Sequence, residues 1–326
     1  MAERNYIEAI HDGLWEEMER DESVLLMGED VGHYGGAFRA TSGMLEHFGR
    51  KRILDTPISE SAIVGCAIGL GLEGMRPVVE MQFIDFIACA FNMIVNWAAK
   101  ARYRLGYSVP IVIRGPSGGG VHGGPFHSQN VENFFTSTPG IKIVQPATAR
   151  DAKGLLKAAI RDDDPVLFLE HKFLYRRIKE DLPEDEEIIT PLGKAATLRE
   201  GEDLAIITYG AMVHTALRAA HQLSEEDGIE AEVLDLRSLV PLDEEAVLEA
   251  ARRSGRVLLL HEATLNGGFG GELAARISEK AFEWLDAPLM RLASPDSAVP
   301  YSPPLEEAFL PQAAQVVAKA RTLVRY

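Results

Sequence analysis

Cysteine is nearly missing from this chain: Cys66 and Cys89 are the only two among 326 residues. A disulfide framework has no raw material here, and both thiols lie in apolar stretches, where the expectation is a small buried hydrophobe in a reducing cytosol. Long apolar runs are lacking too. The best candidate, "FIDFIACAFNMIVNW", is interrupted by Asp85, Asn92 and Asn96, short of the ~18 residues a membrane span requires. The opening "MAERNYIEAI" has no charged-then-apolar leader pattern, so the chain is read as cytoplasmic. Positive charge is in deficit: 33 Lys and Arg against 49 Asp and Glu leave a formal net charge of −16. With no basic run to override that field, neither a nucleic acid nor a membrane surface is an expected partner. Phosphate loops of the G-x-x-x-x-G-K-[ST] kind and zinc-type ligand spacings do not occur.

What is present is an ordinary globular balance, 46% hydrophobic and 25% charged. The length exceeds what one core usually serves, so two domains are expected. "SVLLMGED", "KRILDTP", "RPVVEMQF", "VPIVIRG", "IKIVQPA" and "PVLFLEH" read as buried strands, and "YIEAIHDGLWEEMER" and "FIACAFNMIVNWAAKARYR" as helices between them. That succession predicts an α/β fold with a parallel sheet covered on both faces. The charged stretch "RRIKEDLPEDEEIITPLGKAATLREGEDL" reads as a connection. Domains are expected at 1–185 and 201–326, joined by a linker at 186–200. The second is a smaller α/β unit, with strands at "LAIITYG", "AEVLDLRS", "RVLLLHEA" and "LMRLAS" and helices near 211–226, 243–253, 271–285 and 304–324.

Open parallel sheets bind ligands beyond the carboxyl ends of their strands. There the sequence places Glu29 and Asp30, the segment from Asp55 to Glu60, Gln82, Arg114 with the loop to His127, and Glu170 with His171. In "RGPSGGGVHGGPFHSQN", Gly118, Gly120 and Gly123 spell G-x-G-x-x-G. Pro125 intervenes where a dinucleotide-binding helix should start, and the next strand ends in Gln145 rather than an acid. His122 and His127 are candidates for acid–base work or simply exposed loop residues. "DTPISESAIVGCAIGLGLEG" reads as a helix with Thr56 as cap, Pro57 at the first position and Glu60 in or near the first turn. Ser61, Gly65 and Gly69 then leave one face almost bare, at a cost of roughly 1 kcal/mol per interior glycine. Such a face suits the close approach of another backbone, which would bury Glu60.

These residues resemble the β subunits of 2-oxo acid dehydrogenase decarboxylase components. Glu60, Gly65 and Gly69 fall in register with E-x₄-G-Φ-x-x-G-Φ, and "MGEDVG", "RPVVEMQF", "HSQ", "GIKIVQPATARDAKGLL", "FLEHKFLYR", "VLDLRSLVPLD" and "HEATLNGGF" follow in family order over nearly the whole chain. The resemblance implies a pyrimidine-binding domain of the thiamine diphosphate enzymes and a C-terminal domain of the transketolase type. It implies that Glu60 exchanges a proton with the aminopyrimidine ring, that Glu29, Ile58, Gln82 and Phe86 line the cofactor, and that His127 serves acyl handover to lipoamide. Asp162 and Asp164, in "AAIRDDDP", match a monovalent-cation (K⁺) site of some relatives or form a solvated acidic turn. The family's G-D-G motif for diphosphate and Mg²⁺ is absent here, which implies an α subunit holding that half and an α2β2 heterotetramer. A dihydrolipoyl acyltransferase core, with lipoyl and subunit-binding domains, is the further implied partner. A 2-oxo acid is the implied substrate, branched-chain favoured and pyruvate next. An acetoin dehydrogenase β subunit and a noncatalytic scaffold stand as alternatives.

Overall fold

The structure is a computed structural model and describes residues 1–183 and 186–326. The expected end of the first domain, residue 185, lies outside the described residues. Two units separate by contact density, 1–117 with 134–192, and 118–133 with 193–326. Among the described residues no helix is long and apolar enough to cross a membrane.

In the first unit β1 (Ala2–Asn5) leads into α1 (Tyr6–Arg20), whose start is fixed by a capping box: Asn5 accepts from the Glu8 amide and Glu8 accepts from the Asn5 amide. Then follow β2 (Val24–Gly28), α2 (Met44–Phe48), β3 (Ile53–Asp55), α3 (Glu60–Leu72), β4 (Arg76–Glu80), α4 (Ala101–Leu105), β5 (Val112–Ser117), β6 (Lys142–Val144), α5 (Ala149–Arg161), β7 (Val166–His171) and β8 (Lys179–Leu182). Strands β2 to β7 run parallel in the order β6-β7-β5-β4-β2-β3. All residues of β2, β5 and β7 are buried, as expected of a sheet covered on both faces. The strands and the parallel α/β arrangement are those the sequence predicts. The antiparallel pair of β1 with β8 is an addition.

Two helical expectations need correction. Helix α3 begins at Glu60, with Ser59 before it making no side-chain cap. Thr56 does not cap and Pro57 is not the first helical position, because the helix starts only at Glu60; the Thr56 amide instead continues the strand pairing by bonding the Gly28 carbonyl at 2.9 Å. The helix expected over 86–104 is a winding of changing pitch: 3₁₀ at Ile84–Ala90, π at Met93–Trp97, 3₁₀ at Ala98–Lys100, then α4. The Ser61 hydroxyl donates to the Cys89 carbonyl at 2.7 Å, and a side chain entering the backbone ladder in this way disturbs regular pitch.

The second unit contains β9 (Ala196–Arg199), β10 (Leu204–Thr208), α6 (Met212–Asp227), β11 (Ala231–Asp235), β12 (Ser238–Val240), α7 (Glu244–Ser254), β13 (Val257–Thr264), α8 (Phe269–Lys280), β14 (Met290–Ser294), α9 (Pro303–Phe309) and α10 (Ala313–Leu323). Its sheet has the order β14-β13-β10-β11-β9, parallel except for β9 at the edge. Strand β9 falls inside the stretch expected as linker. The single helix expected over 304–324 is divided before Pro311, which offers no amide to continue it.

Candidate active site

Parallel strands bring their carboxyl ends to one edge, and the first unit gathers Glu29, Asp55, Glu80, Arg114 and Glu170 there. Three of these residues, Glu80, Arg114 and Glu170, form a buried ionic cluster. Arg114 bonds Glu170 in two places, with Nη2 to Oε2 at 2.8 Å, and bonds Glu80 with Nη1. The Tyr175 hydroxyl donates to Glu170 Oε2 at 2.6 Å. Burial lifts the Glu80 carboxyl above its ordinary range although Arg114 opposes it. Two carboxyls thus share one guanidinium across β4, β5 and β7. Arg114 and Glu170 were visible as polar strand ends; Glu80 hides in an apolar strand, and Tyr175 was quoted only within "FLEHKFLYR" without a role of its own.

Glu29 follows β2 and is 6% exposed, and its Oε1 finds no hydrogen-bond partner among the described residues. Burial first, and the Glu60 carboxylate second, raise its pKa, against a hydrogen bond from the Ser59 backbone. Glu60 itself is half-buried at the first position of α3. These two predicted residues are therefore brought together. Gln82 Nε2 donates to Asp30 Oδ2 at 3.1 Å, and Asp30 has left-handed backbone at φ 59°. Phe86 is half-buried with its ring edge-on to Phe83, while Ile58 is 81% exposed. Ile58 precedes Glu60 by two positions, so this exposed apolar side chain stands just ahead of the head of α3.

The bare face of α3 continues from that point. Ser61, Ala62, Cys66 and Gly69 are exposed. A side-chain carbon added at Gly69 would meet nothing within 4 Å, and one at Gly65 only the Met93 sulfur at 3.8 Å. Both cysteines are exposed, which corrects the expectation of burial. They lie on or beside this face, which among the described residues is touched only at its margin, by Cys89 and Met93, and otherwise stays open.

The histidine loop belongs to the second unit. Its base is closed by the Gly118 amide on the Gln129 carbonyl at 3.0 Å. Two buried acids hold its glycine-rich limb. Glu262, at the end of β13, accepts from the Gly119 amide at 2.7 Å and Asn130 Nδ2 at 2.8 Å. Glu306, 1% exposed on α9, accepts from the Gly120 and His122 amides, both at 3.0 Å, and pairs with His122 Nδ1 at 2.7 Å. His122 has φ 61°. A side chain at Gly124 would fall 2.3 Å from the Tyr301 ring, and one at Gly123 2.8 Å from the His127 carbonyl. His127 is half-buried after a short 3₁₀ turn, Gly124–Phe126. Glu262 was quoted only within "RVLLLHEA" and "HEATLNGGF", without a role, and Glu306 not at all, since nothing local tells what an acid holds when its partners lie more than 130 residues away.

Asp162 and Asp164 lie before β7, at the opposite edge of the sheet. Lys142 Nζ donates to both oxygens of Asp162, at 2.7 and 2.6 Å, and Arg102 binds Asp164. The acidic turn is thus neutralised by the chain's own cations and offers no open carboxylate cage.

Residues 2–177 match the model of the transketolase pyrimidine-binding domain and residues 193–316 that of the transketolase C-terminal domain. Together with the paired parallel sheets, these define a transketolase-type α/β protein. A solved structure described as split gene transketolase, inactive beta4 tetramer, superposes with a TM-score of 0.80 at 25% identity, covering 98% of each chain. The chain is 53% identical to the 2-oxoisovalerate dehydrogenase subunit beta of Bacillus subtilis (strain 168), over 100% of both chains. It is 46% identical to the pyruvate dehydrogenase E1 component subunit beta of the same organism and 42% to that of Staphylococcus aureus (strain COL), again over 100% of both. The chain belongs to the family of 2-oxo acid dehydrogenase E1 β subunits.

Proposed function

We propose that this chain supplies the proton-handling half of a thiamine diphosphate site, completed by an α subunit in an α2β2 heterotetramer. The assembly decarboxylates a 2-oxo acid and delivers the acyl group to a lipoyl arm of a dihydrolipoyl acyltransferase core. The observation that carries this reading is Glu60 at the head of α3 with the buried, unpartnered Glu29 oxygen beside it. A buried carboxyl with one oxygen unsatisfied next to a second carboxyl is costly, and such pairs concentrate where protons must move.

The residues fit the cofactor: an exposed Ile58, a half-buried Phe86 ring and two adjacent carboxyls suit a flat heterocycle with a basic nitrogen. Thiamine diphosphate, when bound, supplies the carbon nucleophile and the electron sink that loss of carbon dioxide requires. Glu60 holds a proton at the aminopyrimidine ring nitrogen and takes it back. Glu29, Gln82, Ile58 and Phe86 line that ring and exclude water. His127 moves a proton at the lipoyl sulfur, a task an imidazole performs near neutral pH. Mg²⁺ is assigned mainly to the α subunit. No K⁺ is assigned to Asp162 and Asp164, whose carboxylates are already paired with Lys142 and Arg102.

Branched-chain 2-oxo acids are the favoured substrates, with pyruvate next, in the order of identity to the named relatives. Reconstitution with the α subunit and assay against 2-oxo acids of increasing chain length tests this; a preference for pyruvate would reverse the order. Glu60→Gln should lower turnover roughly 10²- to 10⁴-fold while the heterotetramer still forms on gel filtration. A full rate from that variant sinks the proposal.

A further inference from the structure

We infer that Glu306 is a positioning residue for acyl handover: it holds the backbone of the loop that carries His127 and so sets where that imidazole can reach. The inference rests on the reading of His127 given above. Within the loop, three contacts from two residues converge on one buried carboxylate. Glu306 Oε1 takes the Gly120 amide, and Oε2 takes the His122 amide and the His122 ring nitrogen. The segment it grips has left-handed backbone, which Gly120 takes without steric cost at φ 80° and His122 takes at a cost at φ 61°. A left-handed histidine persists only where its surroundings over-determine it. Glu306 provides that determination from a helix, α9, rather than from another loop.

The chemical match is close. Backbone amides facing one way form an anion-binding concavity, and here the anion is a side chain of the same unit. Charge-assisted bonds of this kind are stronger than neutral ones, so the limb from Gly119 to His122 is pinned while Val121, Phe126 and the outer face of His122 stay exposed. A pinned loop presenting an exposed rim and a half-buried imidazole is what a visiting lipoyl arm requires. Decarboxylation itself asks nothing of it.

The experiment measures two rates in the reconstituted α2β2 assembly. One is decarboxylation coupled to an artificial dye acceptor, which needs no lipoyl group; the other is reductive acylation of a lipoyl domain. Glu306→Gln replaces one acceptor oxygen by an NH₂ that faces amide donors. It should lower lipoyl acylation about 10- to 100-fold, the scale of a misplaced catalytic group, and leave the dye rate within about twofold. Hydrogen exchange at the 118–130 segment should accelerate. His122→Gly, at an exposed position where glycine accepts the backbone angle freely, should give the same split in milder form and decides the matter if Glu306→Gln does not fold. His127→Ala is the reference. If it shows the split and the other variants do not, or if they lower both rates in parallel, the inference is overturned. If His127→Ala shows no split, it is the role of His127 that fails. Unchanged exchange in a folded Glu306→Gln overturns the inference whatever the rates.

Discussion

A single buried carboxyl can set the pH response of a whole unit, and Glu132 is placed to do so. It is fully buried, accepts a 2.9 Å hydrogen bond from the Tyr209 hydroxyl, and leaves Oε2 unpaired among the described residues. Burial, reinforced by Glu262, pushes its pKa from 4.5 up to about 7. Between those values the folded chain keeps a proton that the unfolded chain has lost, so stability falls as pH rises through that window. The full loss, reached by pH 8, is on the order of 3 kcal/mol. Glu132→Gln should therefore raise the denaturant midpoint at pH 8 and give little at pH 4.5; an equal gain at both sinks the assignment. His261 acts with the opposite sign, because burial pushes its imidazole down to about 4 and stability should fall as pH drops below 6.5. Residues of this kind were illegible in the sequence. Glu29 and Glu60 could be found because they follow strands and a helix start, whereas Glu132 meets Tyr209 across 77 positions, and only tertiary packing decides that it is buried.

At the scale of elements, legibility followed local chemistry. Helix α1 was readable to the residue because its cap, its apolar period and its acidic first turn agree. The stretch from 84 to 105 has helical composition and yet changes pitch, since its geometry is imposed by neighbours. Ser61 takes one of its carbonyls, and Gly140 lies against another: a side-chain carbon at 140 would stand 1.8 Å from the Ala99 carbonyl oxygen, at φ 95°. Both the collision and the left-handed angle forbid a larger residue there. Gly140→Ala should cost about 2–4 kcal/mol or prevent folding, read from the denaturant midpoint. A midpoint within experimental scatter of the parent chain would show that the irregular winding yields easily and that Gly140 does not fix it.

For the molecule as a whole, the exposed stripe on α3 is the feature that the proposed α2β2 assembly accounts for. Glycines at 65 and 69 each withhold roughly 1 kcal/mol from an isolated helix, and within this chain almost nothing packs where their side chains would be. Nearby, Ile58, Leu72 and Trp97 present apolar surface to solvent as well. The sequence displayed the stripe clearly, and it could not display that no element among the described residues covers it, which is a property of the finished fold. Gly69→Leu separates the two roles of the position. In the free β chain the added side chain meets open space and improves helix propensity, so the melting temperature should hold or rise slightly. Against an α subunit whose backbone approaches the stripe, the same atoms collide, and assembly should weaken at least about tenfold, the effect of 1.4 kcal/mol, in sedimentation of α and β mixtures. Dye-coupled decarboxylation should fall with the fraction assembled and be restored by excess α subunit. A Gly69→Leu chain that assembles with its partner as tightly as the parent would remove the stripe from the interface, and with it the reason for a helix that gives up stability at the head of the site.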